Sequence, residues 1–138
     1  MKISLPISRI IDANFNRSRE ALRVCEDIAR FFLEDSSATK KLKSLRHGIS
    51  DILKKCPDFS KNLIFSRESR YDIGKKTTFS EVKRKNVSDI FYANMERAKE
   101  SLRVLEELSK IENASMSRSF KKLRFRVYTL EKEINAKL

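Results

Sequence analysis

Ala13-Asn14-Phe15-Asn16-Arg17-Ser18-Arg19-Glu20-Ala21-Leu22-Arg23-Val24-Cys25-Glu26 is answered about eighty residues later by Ala93-Asn94-Met95-Glu96-Arg97-Ala98-Lys99-Glu100-Ser101-Leu102-Arg103-Val104-Leu105-Glu106. Polar Asn, Arg and Glu recur at the same offsets as the apolar residues, which a core alone would not demand. Downstream, Leu42-Lys43-Ser44-Leu45-Arg46 is echoed by Phe120-Lys121-Lys122-Leu123-Arg124. A repeat this long predicts two duplicated halves, each a pair of segments, facing each other across a pseudo-twofold.

The segments read as helices. The chain of 138 residues has two Gly, two Pro and no Trp, too few turn residues for a strand-rich fold. It is long enough to bury one core without disulfides, so a single domain over 1–138 is expected. A first helix is predicted from near Ser8 to about Phe32, its apolar face made of Ile10, Phe15, Ala21, Leu22, Cys25, Ile28, Ala29 and Phe32. A second runs from about Ala38 and stops at Cys56-Pro57, because a residue before proline disfavours the helical region. Ser88-Asp89 is expected to cap a third helix, which ends near Ile111, and Ser115 to Ser117 to start a fourth, with Phe120, Leu123, Val127, Leu130 and Ile134 on one face. The fold class is therefore all-α: two antiparallel helical hairpins, approximately 8–56 and 88–137, in a bundle. The connector over 57–87 reads as a polar loop with a short extended piece at Asn62 to Ser66.

Composition narrows the partners. The net charge is +12, which favours an anionic partner, whether nucleic acid, a membrane surface or phosphorylated small molecules, although Lys-rich helix faces are also ordinary solvated surface. Met1-Lys2-Ile3-Ser4-Leu5-Pro6 has no apolar run of signal-peptide length, and no later stretch reaches membrane-span length, so a cytoplasmic protein is expected. Cys25 and Cys56 lack metal-ligand spacing and are expected to be a core and a surface thiol, without a bridge.

Chemistry is suggested where polar residues intrude on the apolar face. Asn14 falls in the middle of the first helix's stripe, with Arg17 on its flank and Glu20 at its edge, while Asn16, Arg19, Arg23, Glu26 and Arg30 are predicted to turn outward. The third helix repeats this with Asn94, Arg97 and Glu100. Inward polar groups must be hydrogen-bonded or face a wet pocket. They form either a satisfied polar layer that ties the bundle together or a cleft. In a cleft, Arg offers a forked donor to phosphate or carboxylate and Asn reads a heterocycle edge. Between the halves, Arg67-Glu68-Ser69-Arg70-Tyr71-Asp72-Ile73-Gly74-Lys75-Lys76-Thr77-Thr78 mixes acids able to hold Mg²⁺ with basic and hydroxyl groups, but without Walker-loop spacing. His47 is the sole histidine, and a lone helical histidine is more often packed or exposed than catalytic.

Taken together, Arg9-Ile10-Ile11-Asp12-Ala13-Asn14-Phe15-Asn16-Arg17, Glu20 to Asp27 and Leu45-Arg46-His47 resemble the compact, non-ribokinase hydroxymethylpyrimidine-phosphate kinase family of bacterial thiamine biosynthesis. Arg67-Glu68-Ser69, Asp72-Ile73-Gly74, Asp89, the second copy of the repeat and Tyr128-Thr129-Leu130-Glu131 resemble it in the same order, so the likeness covers nearly the whole chain. Lys75 stands where the family pattern has Thr, and Cys25 where it has an aliphatic residue. The resemblance implies transfer of the γ-phosphoryl group of ATP or another nucleoside triphosphate to hydroxymethylpyrimidine phosphate, with Mg²⁺. It also implies a functional link to thiamine-phosphate synthase, a domain to which the family is often fused and which here would be a separate protein. On this view Asp72, Arg17 and Arg67 are catalytic. Asn14, Asn94, Arg97, Glu20, Glu100, Arg46 and His47 bind substrate, Gly74, Lys75 and Thr77 form a phosphate loop, and Asp72 with Glu68 holds Mg²⁺. The pattern admits self-association. A basic helical nucleic-acid-binding module is the alternative, disfavoured because Glu20, Glu26, Glu100 and Glu106 interrupt the basic faces and no stacking aromatics are interleaved.

Overall fold

The computed structural model describes residues 4–78 and 83–138. Residues 1–3, on which part of the N-terminal reading falls, and 79–82 of the connector lie outside the described residues. All regular structure among the described residues is helical: α1 (Leu5–Asp27), α2 (Ser36–Lys54), α3 (Pro57–Ser66), α4 (Val87–Glu112) and α5 (Ala114–Asn135). The all-α expectation holds.

Each boundary has a local cause. Pro6 sits in the first turn of α1, where a missing N–H costs nothing. α1 passes into a π-helical turn at Ile28–Phe32, closed by bonds from Leu33 N to Ile28 O at 3.0 Å and from Asp35 N to Ala29 O at 2.9 Å. Glu34 then reverses the chain at φ 50°, a left-handed conformation that a non-glycine residue adopts only in such turns. Asp35 caps α2 by accepting from Ala38 N at 3.0 Å. Asn86, rather than Ser88 or Asp89, caps α4 through Asp89 N at 2.9 Å. Asn113 closes α4 and also caps α5, accepting from Ser115 N at 2.8 Å and Met116 N at 3.2 Å.

The expected extended piece at Asn62 to Ser66 is instead the last part of α3. Pro57 opens it as a first-turn proline, and the pair with helical spacing, Leu63 and Ser66, points inward while Ile64 and Phe65 face solvent. Leu63 is only 3% exposed; this apolar anchor sits on a helix that packs against α1 and α2, and its stripe among the described side chains is too sparse to mark a helix.

α1 and α4 form the centre of the bundle, with α2 flanking α1, α5 flanking α4, and α2 also meeting α5. Cys25 Sγ donates to Phe91 O at 3.7 Å, whereas Asn14 shares a hollow with Ser101 and Val104, so α1 and α4 run antiparallel. One core joins the helices, built on Ile11, Leu22, Leu42, Ile49, Phe91 and Phe120. Burying such side chains contributes roughly 1.5–3 kcal/mol each.

Two helix-face expectations are corrected. Ile10 and Phe32, assigned to the inward stripe, are 41% and 62% exposed. Ile10 borders an open cleft, and Phe32 lies in the π turn, whose wider winding rotates the face away from its 3.6-residue register. Glu26, expected outside, is buried, and Arg46 of α2 reaches it with Nε at 2.9 Å and Nη2 at 3.4 Å. Arg124 of α5 makes the corresponding contact to Glu106 at 3.2 Å. Among the described residues no helix is long and apolar enough to cross a membrane.

Candidate functional site

On α1, Asn14 is buried and its Nδ2 donates to Ile10 O at 2.8 Å. One amide donor is thus used within the helix, and the amide oxygen is left for a ligand. One turn on, Arg17 is exposed. Both line a polar hollow of about 450 Å³ between α1 and α4, together with Gly74, Arg97, Glu100, Ser101 and Val104. Ser101 Oγ donates back to Arg97 O at 2.6 Å. Two guanidinium groups and one carboxylate thus face a wet space, which suits an anion that also carries a donor edge.

The same two residues also line a wider cleft of about 810 Å³. Its helical wall carries Arg9, Ile10, Asp12, Asn14, Arg17 and Glu20, and its second wall is the segment Arg67, Glu68, Ser69, Tyr71, Asp72 and Ile73. Tyr71 and Ile73 are exposed there, an apolar surface able to cover a flat ring. Asp72 Oδ1 accepts from Gly74 N at 2.8 Å, and Lys75 Nζ donates to Arg70 O at 2.6 Å, so the loop is folded on itself.

Arg67 follows α3 directly. Its Nε reaches Asp12 Oδ2 and its Nη2 reaches Asp12 Oδ1, each at 2.8 Å. This fork raises the guanidinium pKa above its ordinary value, chiefly through the hydrogen bond to Asp12 and then through its charge. The remaining Nη1 is available to a ligand in the cleft. Asp12 also accepts from Asn16 Nδ2 at 3.3 Å.

Of the residues expected at a site, the structure gathers Asn14, Arg17, Arg97, Glu100 and Gly74 around the hollow and Glu20, Arg67, Glu68 and Asp72 around the cleft. Asn94, Arg46, His47, Lys75 and Thr77 line neither. Asn94 Nδ2 repeats the bond of Asn14, to Ile90 O at 2.8 Å. Arg46 is held by Glu26, and His47 is exposed on α2. Sequence reasoning missed Asp12, although its spacing from Ser8, Ile11 and Phe15 on the inward stripe was the available signal. Ser101 and Val104 were also missed, since only the crossing of α1 and α4 brings them to Arg17.

Glu68 and Asp72 face the same cleft, and among the described residues no group of three His, Cys, Asp or Glu side chains is placed to hold a metal ion by itself. Two carboxylates are a donor set that fits Mg²⁺, which keeps several waters and is commonly shared with substrate phosphates.

The model of the ThiD2 family matches residues 9–133. Among curated proteins the chain is similar to the thiamine-phosphate synthase of Synechocystis sp. (strain ATCC 27184 / PCC 6803 / Kazusa), 39% identical over 126 residues that cover 91% of this chain and 35% of the relative. It is likewise similar to the thiamine-phosphate synthase of Rhodopirellula baltica, 35% identical over 136 residues, or 98% of this chain and 36% of the relative. The chain therefore spans about a third of the length of these curated relatives. No solved structure matches it significantly.

Proposed function

This chain belongs to the ThiD2 family, and we propose that it is a phosphotransferase of thiamine biosynthesis, moving the γ-phosphoryl group of ATP or another nucleoside triphosphate onto hydroxymethylpyrimidine phosphate. The observation that carries this reading is that Asn14 and Arg17 line both the polar hollow and the wider cleft. A transfer between two phosphorylated substrates needs two subsites with a common wall, and positive charge on that wall.

In this mechanism the two substrates occupy the hollow and the cleft, and their reacting phosphates meet at Arg17. Phosphoryl transfer asks little covalent chemistry of a protein; it depends on alignment and on charge neutralisation as the transferring group loosens. Arg17 from α1 and Arg97 from α4 supply forked donors from two walls of the hollow, where negative charge develops on the transferring phosphoryl group. The Asn14 amide oxygen and the Glu100 carboxylate accept from the exocyclic amine of the aminopyrimidine, with Glu20 bordering the cleft. Arg67 adds its Nη1. Glu68 and Asp72 would hold Mg²⁺ alongside the phosphates, and the ion would supply charge neutralisation at the phosphate oxygens. The cationic surface raises the local concentration of both polyanions. The family's relatives named thiamine-phosphate synthase support this reading, because such an enzyme consumes the diphosphate product.

The test is direct: purified protein, Mg-ATP and hydroxymethylpyrimidine phosphate, with the diphosphate resolved by anion-exchange chromatography. Product formation that depends on Arg17 supports the assignment. A folded protein that yields no diphosphate with any nucleoside triphosphate refutes it.

A further inference from the structure

Residues 67–77 carry Glu68, Asp72 and Gly74 to the two subsites, yet almost nothing fastens them to the helices. The hydrogen bonds of Gly74 and Lys75 stay within the loop, to Asp72 and Arg70. Among the described residues, the tie of this segment to the bundle by hydrogen bond or ion pair is the fork of Arg67 on Asp12, together with the backbone bond from Arg67 N to Ile64 O at 3.2 Å that ends α3. Asp12 is 5% exposed and sits on rigid α1, only two residues before Asn14. We propose that Asp12 is a positioning residue: through Arg67 it sets where the loop of Glu68, Asp72 and Gly74 stands against Asn14 and Arg17. This inference rests on the proposed phosphotransfer for its catalytic consequence, but not for its structural one.

Chemistry favours this pair for the task. A planar fork on a carboxylate fixes direction as well as distance, which a Lys or a single hydrogen bond does not. Both bonds come from one residue at the root of the loop, so a change of the Asp12 side chain is transmitted to every residue beyond it. A displacement of about 1 Å of a phosphate-contacting group is enough to cost roughly a hundredfold in rate.

The experiment uses the absence of tryptophan from the chain. Tyr71→Trp places a lone tryptophan in the loop, and its time-resolved anisotropy, excited beyond the absorption of the remaining tyrosines, separates local loop motion from overall tumbling. In that background Asp12→Asn and Arg67→Gln are each expected to raise the amplitude of the fast component roughly twofold, with tumbling unchanged. Glu26→Gln, which weakens a comparable buried pair remote from the loop, is expected to leave it as it was. An unchanged amplitude in both Asp12→Asn and Arg67→Gln, or an equal rise in Glu26→Gln, overturns the proposal. In the otherwise native protein, Asp12→Asn is expected to lower kcat roughly tenfold or more, with most of the loss recovered by Asp12→Glu. A wild-type protein without phosphotransfer activity counts against the proposed reaction alone, because the anisotropy still decides whether Asp12 positions the loop.

Discussion

Arg46 and Glu26 form a buried ion pair that ties α2 to α1, their side chains 12% and 7% exposed and their charged atoms 2.9 Å apart. Losing Arg46 leaves Glu26, in a region that water reaches poorly, with only the longer contact of exposed Arg23 at 3.9 Å. Arg46→Ala is therefore expected to destabilise the protein by about 3–5 kcal/mol, whereas Arg46→Met combined with Glu26→Leu stays near wild type. Urea unfolding midpoints compare the two. Equal losses in the single and the double variant contradict a desolvated pair.

Arg17 carries the opposite expectation. It is exposed and has no ion-pair partner among the described residues, so Arg17→Ala changes stability by no more than about 0.5 kcal/mol. The same variant is expected to lose about two orders of magnitude or more in kcat/KM, the scale of removing a donor from developing charge. Steady-state rates and a thermal melt on one preparation suffice. A parallel fall in melting temperature means that Arg17 belongs to the scaffold.

Asp72 joins the loop's own fold to the proposed metal. Asp72→Asn keeps an oxygen for Gly74 N but removes the negative charge. The Mg²⁺ concentration for half-maximal rate is expected to rise by about an order of magnitude, the scale of disturbing a metal ligand, with helical circular dichroism intact. A Mg²⁺ titration with no shift removes Asp72 from the metal.

Burial pushes the Cys25 thiol from 9.0 up to about 12, with the nearby charge of Glu131 adding to the effect. The native state therefore keeps a proton that the unfolded chain releases. This contribution to stability is complete below about pH 9 and declines by about 1.4 kcal/mol per pH unit until the folded thiol itself ionises near 12. Denaturant melts from about pH 8 to about pH 11 are expected to fall less steeply for Cys25→Ala than for wild type, by that slope. Parallel curves contradict it.

Much of this molecule was legible in its sequence, because polar and apolar periodicity agreed. The four long helices, Asn14 on the inward face and the cluster of Arg17, Arg97 and Glu100 all follow from helical spacing applied to the two similar stretches. The remainder depended on crossings that spacing does not carry. Glu26 looks outward on a helical wheel until α2 brings Arg46 against it, and Asp12 has no role until α3 delivers Arg67. α3 itself is hard to read because Leu63, its buried apolar residue among the described side chains, leaves no stripe to detect. The π turn at Ile28–Phe32 shifts the register, so Phe32, which a 3.6-residue period places inside, faces solvent.

In the proposed reaction Arg17 stands where one substrate hands its phosphoryl group to the other. The decisive experiment is ³¹P NMR of the wild-type protein and of Arg17→Ala in a mixture of Mg-ATP and hydroxymethylpyrimidine phosphate. Wild type is expected to convert the monophosphate resonance into a coupled pair from the diphosphate while ADP accumulates, and Arg17→Ala to leave the monophosphate resonance in place over the same hours. ATP hydrolysed to inorganic phosphate with no coupled pair, or conversion at an equal rate by both proteins, would contradict it.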